Sequence, residues 1–189
     1  MQIHLIRNAE ADFAHATDPD SARLSAAGRE QAQRVAHYTQ DTGVELFCCS
    51  AMWRSQETAD AIKDLLPDLL RWDLDELEDL THDDLHLDPS ASHMVRDWNP
   101  EQRARGLRQM WSRIMPVWTR VLIYAQTNGL QRIAYVSHAT VLRLFLLNAL
   151  ERDWRDADSL RIQLDWASAS RITLDGTNVT GIDWINRPL

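Results

Sequence analysis

The sequence predicts an α/β fold built around a largely parallel β-sheet. Short apolar stretches rich in β-forming residues alternate along the chain with segments whose apolar residues fall at helical spacing. This alternation is typical of parallel sheets that are covered by helices. The chain has 189 residues, a length that fits one domain with a sizeable core. We therefore expect a single α/β domain over residues 1–189.

The first part of the chain predicts a strand, a helix and a second strand. Residues 2–6 have the pattern of a short buried strand, and a polar loop follows them. Ser25 is the expected helix N-cap, because its hydroxyl can accept a hydrogen bond from a free amide of the first turn. The helix should reach about residue 40 and stop at Gly43. Residues 44–49 then form the next buried strand.

The middle of the chain predicts two further helices with a strand between them. The first helix covers residues 50–66, and residues 69–74 form the third strand. The second helix covers residues 99–126 and has a proline at its first helical position. Pro116 lies inside this pattern, so we expect a kink or two separate helices there.

The last part of the chain predicts a buried strand, a buried helix and a hairpin. Residues 133–137 form the fourth strand. Residues 139–150 are apolar almost all round, as in a helix packed on several sides. Two strand-like runs follow, at residues 170–174 and 179–185, and the turn Asp175-Gly176 separates them.

Composition argues against several classes of partner and compartment. Acidic residues outnumber Lys and Arg by 28 to 20, which gives a formal charge of −8. A net negative surface disfavours binding to nucleic acid or to an anionic membrane. No apolar run approaches the roughly 18 residues of a membrane span. The adjacent Cys48 and Cys49 are poorly placed for an internal disulfide, which predicts buried thiols in a reduced, cytoplasmic protein.

Polar side chains follow each of the four predicted parallel strands, where ligands of open α/β sheets bind. Arg7 and Asn8 follow the first strand, and Arg54 follows the second. Acidic residues including Glu76 follow the third strand, and His138 follows the fourth. If these strand ends converge, two guanidiniums, an imidazole and a carboxyl group share one crevice. Two arginines beside a helix start suit a phosphoryl dianion, through bidentate, charge-assisted hydrogen bonds.

Four segments resemble, in the same order, the motifs of the histidine phosphatase superfamily. The family forms are Arg-His-Gly or Arg-His-Ala followed by Glu, Leu-Thr-x-x-Gly-x-x-Gln-Ala, Ser-x-x-x-Arg-x-x-x-Thr-Ala and Val-Ser-His-Gly-Gly-Val-x-Arg. The matching segments here are residues 5–11, 24–32, 50–59 and 136–143. The resemblance covers nearly the whole chain. It implies a phosphoglycerate-mutase-like fold, a three-layer α/β/α sandwich with a mostly parallel central sheet.

The resemblance also implies a chemistry, the transfer of a phosphoryl group from a phosphomonoester to the histidine of the first motif. Water then hydrolyses the phosphohistidine, with no metal or other cofactor. By position, Arg7, Arg54 and the second histidine, His138, hold the phosphoryl oxygens. Glu76 is the implied general acid and Glu78 the alternative. The expected ligand is a small phosphorylated molecule or inorganic phosphate. A phosphoglycerate-mutase-like phosphotransferase is less favoured, because mutases of this fold typically carry longer insertions.

The chain departs from the family pattern at position 8, where Asn8 replaces the nucleophilic histidine. The lone pair of an amide nitrogen is delocalised, so Asn8 can bind a phosphate oxygen but cannot attack phosphorus at neutral pH. We therefore predict a phosphatase-type chain that binds phosphate and turns it over poorly. Three explanations stay open: an engineered histidine-to-asparagine variant, a natural pseudo-phosphatase that binds a phosphorylated ligand or partner, or a water nucleophile activated by Glu76 or His138.

Residues 78–125 are predicted to be an insertion that forms a lid over the crevice. Within it, His82 and His86 are four residues apart, and a metal-dependent hydrolase built on this acidic segment is a rival interpretation. We favour a solvated loop and no metal site. Four large side chains of the insertion fall at helical spacing and are expected in the core: Met110, Trp111, Met115 and Trp118. The assembly state is left open, with a homodimer as one alternative.

Overall fold

The computed structural model describes residues 1–16, 18–80 and 99–189, which form a six-stranded sheet with helices on both faces. The strands are β1 (Gln2–Arg7), β2 (Leu46–Ser50), β3 (Leu70–Leu74), β4 (Arg132–Ser137), β5 (Ser168–Asp175) and β6 (Asn178–Pro188). The α-helices of the described residues are α1 (Ala26–Thr42), α2 (Trp53–Leu65), α3 (Pro100–Thr127) and α4 (Ala139–Ala149).

The sheet has the strand order β3-β2-β4-β1-β5-β6. The first four strands in this order run parallel, because β2 pairs in parallel with β3 and β4, and β1 pairs in parallel with β4. The hairpin of β5 and β6 is added antiparallel along the free side of β1. The predicted α/β class, with a mostly parallel central sheet, is confirmed.

Two hydrophobic cores lie on opposite faces of the sheet, because successive strand side chains point to opposite sides. On one face, Ile3 of β1 packs with buried residues of α3 and α4. On the other face, Ile6 packs with Val35 of α1 and Ile62 of α2. The molecule therefore has the expected three layers. Cys48 and Cys49 are both free and buried, one in each core, as their adjacency predicted.

Helix α1 begins and ends at the capping residues that the sequence predicts. The Ser25 hydroxyl accepts a hydrogen bond from the amide of Gly28 at 2.9 Å. Gly43 ends the helix in the left-handed conformation, with φ of 63°. Gly28 is required for a different reason: a Cβ there would lie 2.0 Å from the backbone oxygen of Glu10. The start of α1 therefore lies directly against the loop that follows β1.

Helix α3 is continuous through Pro116, so of the two expected alternatives, a kink or two separate helices, the second is wrong. Proline removes the hydrogen bond that its amide would donate to the carbonyl of Ser112. Both Pro116 and Ser112 are on the exposed side, where water can serve that carbonyl. Ile114 and Trp118, on either side of the proline, are buried in the core and hold the helix together.

The core assignment of the α3 side chains is confirmed. Met110 and Trp118 are buried, and Trp111 and Met115 pack partly buried against the same cluster. The lid over residues 78–125 stays a prediction, and its His82 and His86 lie outside the described residues. Within the part of the chain that the structure describes, no helix is long and apolar enough to span a membrane.

Candidate active site

Strand register brings the candidate residues to one edge of the sheet. Arg7 is paired with Ser137 across the β1–β4 ladder, so the next residues, Asn8 and His138, leave the sheet side by side. The Asn8 amide extends the ladder by donating to the Ser137 carbonyl at 2.9 Å. Strand β2 ends at Ser50 on the other side of β4, and α2 begins three residues later. The convergence expected from the strand ends is therefore present for three of them.

His138 and Arg54 form the buried centre of this cluster. The Arg54 Nε donates to His138 Nδ1 at 3.2 Å, and only 5% of Arg54 and 2% of His138 is exposed. Because Nδ1 accepts, the proton of the neutral ring is on Nε2, which donates to the Ser50 hydroxyl at 2.8 Å. Burial lowers the pKa of His138, and the positive charges of Arg54 and Arg7 lower it further. The ring is therefore neutral at neutral pH.

The two terminal nitrogens of the Arg54 guanidinium contact groups of the surrounding loops. One terminal nitrogen donates to the Pro19 carbonyl at 3.0 Å, and the other contacts the Met52 sulfur at 3.0 Å. Burial lowers its pKa, while Asp79 is the acidic residue that opposes this shift most strongly. Arg54 forms no ion pair within the described part of the chain, and the nearby Glu57 pairs with Arg23 at 2.7 Å.

Arg7 lies under an aromatic ring at the mouth of the site. Its guanidinium carbon is 3.6 Å from the centre of the Trp166 ring, and a terminal nitrogen donates to the Leu164 carbonyl. Its Nε is buried and has no partner among the described residues. Burial lowers the pKa of Arg7 to about 10, and Asp79 is again the leading acid that opposes the shift. Arg7 therefore keeps its charge at neutral pH and has an unused donor.

Asn8 is fully buried beside these cations. Its Nδ2 donates to the carbonyl of Ala9 at 2.9 Å, which fixes the orientation of the amide. Its Oδ1 is buried with no partner among the described residues. A buried acceptor without a hydrogen bond is costly, so a water molecule or a ligand hydroxyl is favoured there.

Glu76 is not joined to the cluster by any described contact. It lies in the short 3-10 turn Asp75–Leu77, and its carboxylate faces Arg120 of α3 at 3.1 Å. The turn is oriented by Leu77, whose side chain is buried and whose carbonyl accepts from Ser137 Oγ at 2.7 Å. The side chain of Glu76 therefore points towards α3. Among the acidic residues, Asp79 opposes the lowering of the pKa most strongly at both Arg7 and Arg54. Asp79 received no individual role in the sequence analysis, although it follows the same strand.

Two further residues complete the surroundings of the site. Glu10 has a structural contact, since it accepts from the N-cap hydroxyl of Ser25 at 2.7 Å. Arg143, on the first turns of α4, donates to the Ile162 carbonyl at 3.1 Å. Trp166 and Ser50 were not expected here. Ser50 is the last residue of β2 and could have been found from its position, whereas Trp166 reaches Arg7 only through the tertiary fold.

Sequence comparison identifies the family of this fold. The sequence model of the Histidine phosphatase superfamily (branch 1) matches residues 3–187. The chain belongs to the histidine phosphatase superfamily. No curated protein sequence matches it closely enough to count as a relative.

Solved structures of histidine phosphatases have the same fold. Alpha-ribazole phosphatase from Shigella flexneri has a TM-score of 0.74 at 22% identity, over 98% of this chain and 96% of that one. A mycobacterial glucosyl-3-phosphoglycerate phosphatase has a TM-score of 0.73 at 18% identity, over 100% and 99%. A histidine-to-alanine mutant of phosphoserine phosphatase from Entamoeba histolytica, solved with phosphoserine, has a TM-score of 0.72 at 16% identity, over 98% and 96%.

Proposed function

We propose that this chain binds phosphate monoesters at the cluster of Arg7, Asn8, Arg54 and His138, and that Asn8 leaves it with little or no turnover. The parent chemistry is that of a phosphomonoester phosphatase with a phosphohistidine intermediate. Membership of the histidine phosphatase superfamily supports this chemistry. The similar structures include phosphatases of several small phosphorylated molecules.

The observation that carries the proposal is the crowding of positive charge around one buried imidazole. Arg54 contacts His138 directly, and both Arg54 and Arg7 lower the pKa of that ring. The two guanidinium charges repel each other, since Arg54 lowers the pKa of Arg7, and burial weakens the screening by water. A dianion placed between them would offset both costs. Arginine suits this role because its planar fork matches the oxygens of a phosphoryl group.

The chemistry stops at binding because of Asn8. In the parent reaction, an imidazole nitrogen at this position forms a bond to phosphorus while the ester oxygen–phosphorus bond breaks. The leaving oxygen takes a proton from a carboxylic acid, and water later cleaves the nitrogen–phosphorus bond. The lone pair of the Asn8 amide nitrogen is delocalised into the carbonyl and is not available for the first step. One N–H of Nδ2 donates to Ala9, and the other can donate to an oxyanion bound beside Arg7 and His138, whereas Oδ1 can only accept.

The acid of the parent reaction is proposed from the sequence and the geometry together. Glu76 is the residue that the family motif implies, but it faces Arg120. Asp79 follows the same strand and acts on both Arg7 and Arg54. We therefore place Asp79 beside Glu76 as a candidate, and substitution of each in an active variant decides between them.

A solved relative supports retained binding without a complete set of histidines. The Entamoeba phosphoserine phosphatase structure combines a histidine-to-alanine substitution with bound phosphoserine. Loss of one histidine is therefore compatible with occupancy of a site in this fold. This is the behaviour that we propose for the present chain.

Calorimetric titration with inorganic phosphate tests the binding half of the proposal. Arg54→Gln should weaken phosphate binding by at least about tenfold, since a charge-assisted hydrogen bond contributes roughly 1.5–3 kcal/mol. Arg108→Gln is the matched control, because it removes an exposed arginine from α3 and should leave the affinity unchanged. Failure of the native chain to bind millimolar phosphate, or equal affinities for native and Arg54→Gln chains, would refute phosphate binding at this cluster.

Asn8→His tests the catalytic half. Restoring an imidazole should raise the hydrolysis of p-nitrophenyl phosphate by about 100-fold or more, because loss of a covalent nucleophile costs orders of magnitude in rate. A labelled, acid-labile phosphoenzyme should also be trapped. Asn8→Gln keeps an amide and is the control, with no gain expected. A folded Asn8→His chain that binds phosphate but shows neither hydrolysis nor a phosphoenzyme would leave a binding module without phosphatase chemistry.

A further inference from the structure

A basic cavity opens next to Arg7, outside the cluster around His138. Its volume is about 590 Å³, within the usual range for small-molecule sites. The loop of residues 157–164, the start of α4 and one residue of α3 form its described walls. Four arginines and one acidic residue line it: Arg7, Arg103, Arg143, Arg161 and Asp158. This lining is strongly positive, although the whole chain has a net charge of −8.

The acidic residue of the cavity neutralises only part of this charge. Asp158 is paired with Arg103, whose terminal nitrogen is 3.4 Å from its carboxylate. The Arg143 Nε donates to a neutral group, the carbonyl of Ile162. Arg161 is exposed, and neither it nor Arg143 has an ion pair within the described part of the chain. Arg7 also has no ion pair among the described residues, so three of the four arginine charges are left without an ion-pair partner in the cavity wall.

The cavity adjoins the proposed phosphate site at Arg7, the one described residue that both share. Arg7 lines the cavity, and its pKa is lowered by the nearby charges of both Arg54 and Arg143. Arg7 thus lies between the buried cluster on one side and Arg143 on the other. A ligand whose phosphoryl group sits between Arg7 and Arg54 can therefore extend past Arg7 into the cavity.

Helix α4 adds to the positive field at the same place. Its first residue, Ala139, lines the cavity, and its N-cap residue His138 makes no side-chain hydrogen bond to the first-turn amides. Free amides at a helix start carry a partial positive charge. They reinforce the arginines, which are the main feature of the cavity.

We infer that the ligand of this chain is a phosphate monoester that carries a second anionic group, a carboxylate or a second phosphate, which Arg143 and Arg161 bind in this cavity. The inference rests on the proposed phosphate site, because Arg7 is shared by the two. The same charges repel a cationic leaving group and give a neutral one no added attraction. Arg143 and Arg161 are accordingly specificity-determining residues.

A matched ligand series tests the inference by calorimetry at fixed ionic strength and pH 7.5. The reference probe is propyl phosphate. The test probes are its analogue with a terminal carboxylate and the bisphosphates of ethane-, propane- and butanediol, which cover a range of spacings. At least one probe with a second anionic group should bind the native chain tenfold or more tightly than propyl phosphate. The probe that binds most tightly shows whether a carboxylate or a phosphate fits the cavity better.

Substitutions then locate the second contact. Arg161→Gln changes an exposed side chain, and Arg143→Gln changes a partly buried one, so the first keeps the test valid if the second fails to fold. Each should reduce the preference for the second anion at least threefold, whereas Arg108→Gln should keep it. Equal affinity for propyl phosphate and every test probe overturns the inference but leaves the phosphate site intact. Absence of binding by all probes overturns the phosphate site and the inference together, and a preference that survives both substitutions refutes the role of this cavity.

Discussion

The free energy of unfolding should fall steeply in acid because of one buried histidine, His4. It lies in β1 with no exposed surface, and its Nδ1 is 2.6 Å from the Tyr38 hydroxyl. Burial, together with the positive charges of Arg171 and Arg132, lowers its pKa to about 4, and Asp183 opposes this shift. The folded chain therefore keeps this ring neutral well below the pH at which the unfolded chain protonates it.

The sign and size of the effect follow from linkage. The unfolded histidine takes up a proton near pH 6.5 and the folded one only near pH 4, so stability is present above about pH 6.5 and is lost as the pH falls towards 4. The pKa difference is roughly 2.5 units, and each unit corresponds to about 1.4 kcal/mol, so the full loss is about 3 kcal/mol.

Urea unfolding at pH 7.5 and at pH 4.5 measures this loss. The native chain should lose roughly 2–3 kcal/mol more than a His4→Phe variant over that interval. His138 titrates in the same direction in both chains, so its contribution cancels in the comparison. His37→Gln, which changes an exposed histidine of α1, should keep the native acid sensitivity. Parallel pH profiles for the native and His4→Phe chains would show that the reasoning about His4 is wrong.

Two further substitutions test the loops that build the site, both by urea unfolding at pH 7.5. Gly28→Ala places a Cβ 2.0 Å from a backbone oxygen and should cost about 1–3 kcal/mol, whereas Gly181→Ala, with nothing within 4 Å, should cost much less. Equal effects of the two would contradict the close approach. Ser50→Ala removes the acceptor 2.8 Å from His138 Nε2 and should cost about 1–3 kcal/mol, and Ser55→Ala, at 3.4 Å, should cost less. A larger cost for Ser55→Ala would show that His138 Nε2 donates its proton to Ser55 and not to Ser50.

The parts of the fold that depend on local chemistry could be predicted from the sequence. Ser25 and Gly43 bound α1 as expected, because capping needs a side-chain acceptor at one end and a left-handed residue at the other. The meeting of Arg54 and His138 also followed from the sequence, since parallel strands bring their carboxyl ends to one edge.

The parts that depend on tertiary packing could not be predicted. The carboxylate of Glu76 faces α3 because the burial of Leu77 orients the turn that contains both residues, and no local pattern encodes that direction. The stacking of Trp166 on Arg7 joins two distant segments of the chain. Pro116 stays within α3 because the core holds both halves of the helix and the lost hydrogen bond faces solvent.

Arg54 is engaged on three sides before any ligand arrives. A guanidinium has five N–H groups, and the contacts with His138, Pro19 and Met52 use three of them. An oxyanion that takes more than the remaining two must displace the Pro19 carbonyl or the Met52 sulfur. For an oxyanion that does so, occupancy and the placement of the segment around Pro19 are thermodynamically linked. Protease cleavage near that segment would then report, from outside the crevice, whether the crevice is filled.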